Sequence, residues 1–445
     1  MIDMCALEVA SQILRSVGRS WQDAAVLVIE RDRALVKIWD GEAAVVQRWK
    51  TVDSYLRLGL DGRLIVLELA TSDPRRIAEE TGKLENIAKK VERSELYSPL
   101  PEPKEGLRIQ NVVDDRIKRG LEDPASLVED AVEEAMRSNV DRVSGTLSLE
   151  VYRRALITTA GFEGEEERSS IGLHLRAFSG EGSGHWSLGS TRIDDSSLKE
   201  VGRKAGEIAH LSKKQAEFSP GKYDVILSPM VMGNLMNILA MMSSALATMM
   251  GYSFLSKYKA GDIVASNSFS LYDRPRDPLL PRGASFDDEG VETSDKAIIE
   301  DGKLKTLLHN GATASKNGSK STGNAGWIMP RAWNLEIRGM DMKEGEMIEE
   351  LRNGVLIMNN WYTRLQNYVE GQFSTVSRDA ALLIEDGEVV GNVGRIRLSS
   401  SFPRLLKSIE NMTRERSDVW WWEVDTPTRS PSSLIRGVEL SRPEV

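Results

Sequence analysis

The residues able to do chemistry are few and dispersed. His174, His185, His210 and His309 are the four histidines, and no two stand at the i, i+4 spacing that puts two imidazoles on one helical face. Cys5 is the single cysteine, so neither an internal disulfide nor a multi-thiolate metal site can form; this fits a reducing compartment, and the chain is expected to be cytoplasmic. Asp287, Asp288, Glu289, Glu292 and Asp295 crowd together and could bind a hard cation or do acid–base work. Gly290 stands among them and the segment leads into a strand, so a polar turn is the preferred reading. Residues 319–326, SKSTGNAG, have the look of an anion-binding loop but lack the G-x-x-x-x-G-K-[ST] spacing. Trp420, Trp421 and Trp422 are consecutive; in a strand the outer two share a face, so at least one indole belongs at a sheet edge, a domain contact or a subunit contact.

The elements that must position these groups are legible from periodicity and turn chemistry. The segment MIDMCALEVASQILRSVGR, with Asp3, Glu8 and Arg15 among apolar residues, predicts an amphipathic helix rather than an export signal. Runs at 23–50 and 55–70 read as β-strands turned at Asp40-Gly41 and Asp61-Gly62. Helical composition follows at 73–93, and LYSPLPEPKEGL supplies a linker. A second helix-plus-sheet unit opens at Asp123-Pro124, with strands at 144–160 and 168–190, a turn at 180–184 and a helix over 196–215. Pro220-Gly221 breaks the chain before the strand YDVILS, and IIEDGKL and LIEDGEV both predict Asp-Gly hairpins. The expected units are 1–105, 106–218 and 219–445.

Between Val225 and Ser256 no residue is charged. Length alone would admit a membrane span. Asn234, Asn237 and Gly233 and the β-rich flanks favour a buried core helix over 229–250, with interface contact as the second reading. The whole chain has 40% apolar and 28% charged residues, the balance of a globular protein. Its formal charge of -9 opposes phosphate neutralisation, so no nucleic acid is expected as partner, and no membrane.

The stretch SFDDEGVETSDKAIIEDGKLKTLLHNGATASKNGSKSTGNAG, with its FDDEGV, IEDG and KSTGNA elements in order, resembles the TldD/PmbA family, once named modulators of DNA gyrase. FSTVSRDAALLIEDGEVVGNV resembles the family's late hairpin. The resemblance implies an α+β fold, with mixed helix/sheet N-terminal domains followed by a β-rich, barrel-like C-terminal domain. It also implies action in pairs, in which a TldD-type subunit holds zinc through H-E-x-x-x-H and a late cysteine, and a TldE or PmbA-type partner lacks them. The matching helix here, PMVMGNLMNILAMMSSALATMM, contains no His, Glu, Asp or Cys, and no cysteine follows residue 395. The resemblance therefore carries no zinc ligand and no base to this chain: it looks like the zinc-free subunit, with zinc expected in a TldD-like partner and a second copy of itself as the other candidate partner.

Catalytic and metal residues are expected to be none. In the family the KSTGNA loop lies near the peptide-handling region, making Ser321, Thr322, Gly323 and Asn324 candidate peptide contacts; a structural turn held by its own hydroxyls accounts for them at least as well. The expected function is a non-catalytic part of a peptidase acting on unfolded peptides. Its rivals are a stand-alone peptide-binding or regulatory protein and a metal site assembled from dispersed histidines and acids.

Overall fold

Asp-Gly dipeptides close the first hairpins. In the computed structural model, which describes residues 5–443, Asp40, Gly41, Asp61 and Gly62 have φ from +49° to +81°. A type I′ turn requires that left-handed pair. The turns join β1 (Asp23–Trp39), β2 (Glu42–Leu60) and β3 (Arg63–Leu69). Ahead of them α1 (Ala6–Ser16) buries Ala6, Ala10 and Ile13 as one stripe; the expected Asp3 lies outside the described residues. Asp73 caps α2 (Pro74–Ala88), which has proline in its first turn.

After the linker come α3 (Asp115–Gly120), α4 (Glu129–Met136), β4 (Arg142–Thr158), β5 (Glu163–Ser179), β6 (Gly182–Ser190) and α5 (Asp195–Leu211). The order β3-β2-β1-β4-β5-β6 makes one antiparallel sheet. β1 pairs β4 from Ala25↔Thr158 to Ile38↔Gly145, so strands on either side of position 105 share that sheet. β5 starts at Glu163, ahead of the run expected from 168, because its acidic EGEEER segment lies opposite Arg153 and Arg154 of β4. Glycine lets α5 lie close on α4: a Cβ at Gly202 would meet the Ala131 carbonyl oxygen at 1.8 Å.

The C-terminal region begins with β7 (Gly221–Leu227), α6 (Pro229–Met242) and α7 (Ala245–Met249). The single helix expected over 229–250 is thus broken. Ser243 and Ser244 leave the helix to bridge Leu308, with Leu308 N–H donating to Ser243 and Ala245 N–H donating to Leu308. No helix of the described residues is long and apolar enough to cross a membrane. Then follow β8 (Leu271–Asp273), β9 (Lys296–Glu300), β10 (Lys303–Leu304), α8 (Gly311–Lys316), β11 (Leu335–Ile337) and α9 (Glu344–Leu351). β12 (Gly354–Ile357), β13 (Asn360–Asn367), β14 (Gln372–Ser377), β15 (Ala381–Glu385) and β16 (Glu388–Asn392) come next. The chain ends with β17 (Arg397–Ser401), α10 (Phe402–Lys407), β18 (Ile409–Trp421) and β19 (Val424–Ser441).

Long β19 is the hub of this second sheet, pairing with β7, β11, β17 and β18. Phe254, Phe269, Phe373 and Phe402 are fully buried beneath it, each worth about 1.5–3 kcal/mol of apolar burial. The whole is an α+β fold with a curled half-barrel sheet and a large β-rich C-terminal region. The tryptophan triplet sits where the two sheets meet. Trp420 lies over Gly172 and Gly189 of the first sheet, Trp421 is in the core, and Trp422 is 61% exposed in the turn before β19.

Candidate functional site

α6 starts as its sequence dictates. The Ser228 hydroxyl accepts from Val231 N–H and donates to the Met358 carbonyl, and Pro229 occupies the first turn. With no charge to solvate, the helix is buried nearly all round. Its polar groups are two amides one turn apart. Asn234 donates to the Glu423 carbonyl at 2.9 Å and accepts from Asn360 at 2.9 Å and Thr363 at 2.6 Å. Asn237 donates to Thr426 O at 3.0 Å and Thr428 Oγ1 at 3.2 Å, and accepts from Thr426 N–H at 2.7 Å. The two amides thus clamp the helix to the β18–β19 turn and to the first residues of β19. Glu423 beside them has its carboxyl pushed up by burial.

A cleft of about 570 Å³ opens between the C-terminal half of α6 and the loop 326–332. Asn237, Ala240 and Met241 form one wall; Trp327, Ile328 and Met329 form the other. Met241 is 40% and Ile328 49% exposed, so apolar side chains face solvent here. Methionine adapts its shape to varied apolar partners.

The loop wall is held from behind by charge. Arg154 of β4 pairs with Asp288 at 2.6 Å and lies 3.5 Å from Glu166 of β5, which meets Arg168 at 3.3 Å. These four side chains are almost wholly buried, and Arg331 reaches Asp288 from the cleft side at 3.2 Å. The DDEG segment is the turn expected, with Gly290 at φ +82°, but it is buried, not solvated: Asp287, Asp288 and Glu289 all lie inside. The reason is pairing that linear reading cannot show. Asp287 accepts from the N–H groups of Glu289, Val291 and Ala325, and Glu289 accepts from Gly311 N–H at 2.8 Å. Burial, then the nearby Glu289 charge, push the Asp287 carboxyl up to about 7 against those three donors; burial raises Glu289 as well.

The four predicted loop residues divide. Asn324 is fully buried, donating to Asp273 at 2.6 Å and to the Arg331 carbonyl at 2.9 Å. Gly323, at φ +71°, accepts from the Trp333 indole N–H, and a Cβ there would stand 2.6 Å from the Glu292 carbonyl oxygen. Ser321 and Thr322 are half-buried, and the Thr322 hydroxyl accepts from His309 N–H at 2.8 Å. The residues that line the cleft, Trp327 to Met329 with Asn237 and Met241, were not predicted. The sequence signal was the apolar W-I-M-P run immediately after the glycine-rich loop.

Folding also joins two of the dispersed histidines. His174 and His185 stack edge-on at 5.5 Å between ring centres, with Trp421 against both. Burial holds both neutral, bringing His174 down to about 4 and His185 well below its ordinary value. Among the described residues no group of three His, Cys, Asp or Glu is placed to hold a metal ion.

The sequence matches the PmbA/TldA metallopeptidase C-terminal domain over residues 220–442 and the central domain of the same group over residues 114–213. The chain belongs to the PmbA/TldD family. A metalloprotease of Methanothermobacter thermautotrophicus is 27% identical over 58% of this chain and 59% of its own length. The metalloprotease PmbA of Escherichia coli O157:H7 is 31% identical over 30% of this chain and 28% of its own. The chain thus spans less than two thirds of the length of the curated relatives it matches. TldE from Thermococcus kodakarensis has the same fold, with a TM-score of 0.82, 18% identity and coverage of 98% of this chain and 100% of that one. A Thermotoga maritima structure described as a modulator of a DNA gyrase gives a TM-score of 0.81 at 23% identity, covering 94% and 96%.

Zinc is held by imidazole, thiolate and carboxylate. α6, the helix after the β7 strand, offers amides and thioethers instead, so its residues do not fit that metal. What the cleft can do is bind: apolar side chains around an opening whose amides are already committed.

Proposed function

We infer that this chain is the zinc-free subunit of a two-subunit peptidase, in which a TldD-like partner supplies metal and base while this chain helps enclose extended, unfolded peptides in the cytoplasm. The observation that carries the reading is α6: it follows strand β7, where the resemblance places the zinc motif of the catalytic subunit, yet it spends its two polar side chains on the β18–β19 turn and the start of β19. The adjoining cleft suits a varied substrate, because exposed Met241, Ile328 and Met329 offer contact area without fixed hydrogen-bond demands. Within the loop, Ser321 and Thr322 are the pair left at its half-buried edge to meet a peptide, and Gly323 and Asn324 hold the loop's shape.

The test is cleavage of an unstructured peptide by the purified chain, by a TldD-like partner and by the two together. Hydrolysis only in the mixture, weakened when Met241 and Ile328 become serine, supports the reading. Hydrolysis by the chain alone contradicts it. Peptide binding without any hydrolysis in the mixture would favour the stand-alone binding protein.

A further inference from the structure

A second opening lies apart from the α6 cleft, where the β5–β6 hairpin meets the C-terminal sheet. One end is a cavity of about 610 Å³ lined by Arg176, Trp361, Arg378, Asp379 and Arg395. The adjoining cavity, of about 680 Å³, shares Trp361 and Arg395 and adds Arg364 and Arg397. Six guanidinium groups thus gather along one furrow in a chain whose formal charge is -9, the sixth being Arg442, which donates to the Val393 carbonyl.

Their pairing is incomplete. Arg176 is used: its Nε donates to Asp379 at 2.9 Å. Arg378 stands 3.7 Å from the same carboxylate and over the Trp361 ring at 5.1 Å, and its Nη1 is buried without a hydrogen-bond partner. Among the described residues Arg364, Arg395 and Arg397 make no ion pair within 4 Å, and Arg364 feels the Glu423 carboxylate only at longer range. Arg364 donates to the Thr363 carbonyl and Arg397 to the Ser374 hydroxyl, while Arg395 lies 6.0 Å from the Trp361 ring centre. Trp361, Val376 and Arg397 stand opposite one another across β13, β14 and β17, which makes a flat aromatic and cationic face. β13 pairs only with β14 among the described residues, so its outer edge has no strand partner beside that face, although near its start the Tyr362 N–H already donates to the Glu423 carboxylate.

Planar guanidinium groups take carboxylates through two parallel hydrogen bonds, and an open strand edge takes an extended main chain. Asp379 and Glu181 line the same end of the furrow. Acids set among the arginines suit carboxylates spaced along a peptide better than a continuous polyphosphate. We propose that this furrow binds an acidic segment of an extended polypeptide, its Asp or Glu carboxylates on Arg364, Arg395 and Arg397 and its backbone along β13. The proposal rests on the peptide-handling reading above and names a substrate class for it.

The experiment measures anisotropy of labelled, unstructured acidic, neutral and basic peptides of equal length, and of a single-stranded oligonucleotide, on the full chain. The acidic peptide binds about tenfold tighter than the neutral one, and salt at about 0.5 M removes most of the difference, because these charges are partly exposed. The double reversal R395E/R397E abolishes the acidic preference without changing Tm, and R395K/R397K retains part of it. Equal affinity for acidic and neutral peptides, no effect of the reversal, or tighter binding of the oligonucleotide overturns the proposal. Cleavage of the neutral peptide in the presence of the TldD-like partner reads the subunit assignment separately, so that assignment survives if only the acidic preference fails.

Discussion

The two walls of the α6 cleft are both anchored in the interior, yet they are built of opposite materials. α6 carries no charge and satisfies itself with Asn234 and Asn237; the loop facing it rests on Arg154, Glu166, Arg168 and Asp288, four charges taken almost wholly out of water. An amide bond contributes about 1 kcal/mol net, so the first wall weakens by increments. A buried ionic network fails as a unit, because removing one member strands another without solvent. The comparison teaches where each wall comes from. α6 belongs to the C-terminal region throughout, whereas the loop, held from its own side by Asn310 and Asn324, is also braced by β4 and β5 of the first sheet reaching across to it.

The largest expected effect follows directly. Arg154→Met leaves Asp288 with Arg331 alone and Glu166 with Arg168 alone, breaks the buried link between them, and should cost about 3–5 kcal/mol in urea denaturation. A loss below about 1 kcal/mol would mean that the two walls do not differ as described. On the other wall, Asn237→Ala removes its bonds to Thr426 and Thr428 and should cost about 1–3 kcal/mol.

The next effect is on pH dependence, where two buried groups act with opposite sign. Asp287, raised from 3.8 to about 7, keeps a proton in the folded chain that the unfolded chain has lost; its contribution is full below about pH 4 and is lost as pH rises toward 7. His174, lowered from 6.5 to about 4, contributes fully above about pH 6.5 and loses that contribution as pH falls toward 4. Asp287→Asn should therefore make stability rise more steeply between pH 4 and 7, and an unchanged slope would refute the burial of an unshared proton there. Smallest of all, Ile328→Ser should leave stability within about 0.5 kcal/mol while weakening peptide binding, which separates the cleft's lining from its support.

What the sequence disclosed was local. Asp301-Gly302 and Asp386-Gly387 adopt the same left-handed pair as the two earlier hairpins, because the dipeptide itself carries the turn. The cap and proline of α6 were equally plain. What it hid was long-range: the β1–β4 pairing that carries one sheet across position 105, and the partners that let the DDEG turn go inside. EGEEER gave no strand signal because its neutralising arginines lie on β4, and the helix break at Ser243 comes from a bridge to Leu308, far along the chain. The site residues Ser321 to Asn324 were found as a loop, but which of them turn inward was decided by Asp273 and Trp333, remote in sequence.

The central claim is that this chain brings no zinc site of its own to a shared peptidase. Elemental analysis of the chain purified alone, and of its complex with a TldD-like partner, tests that claim most directly. The account predicts no stoichiometric zinc in the isolated chain and one zinc per heterodimer, lost when the partner's own ligands are replaced. Stoichiometric zinc in the isolated chain, retained through dialysis against a mild chelator, would contradict it.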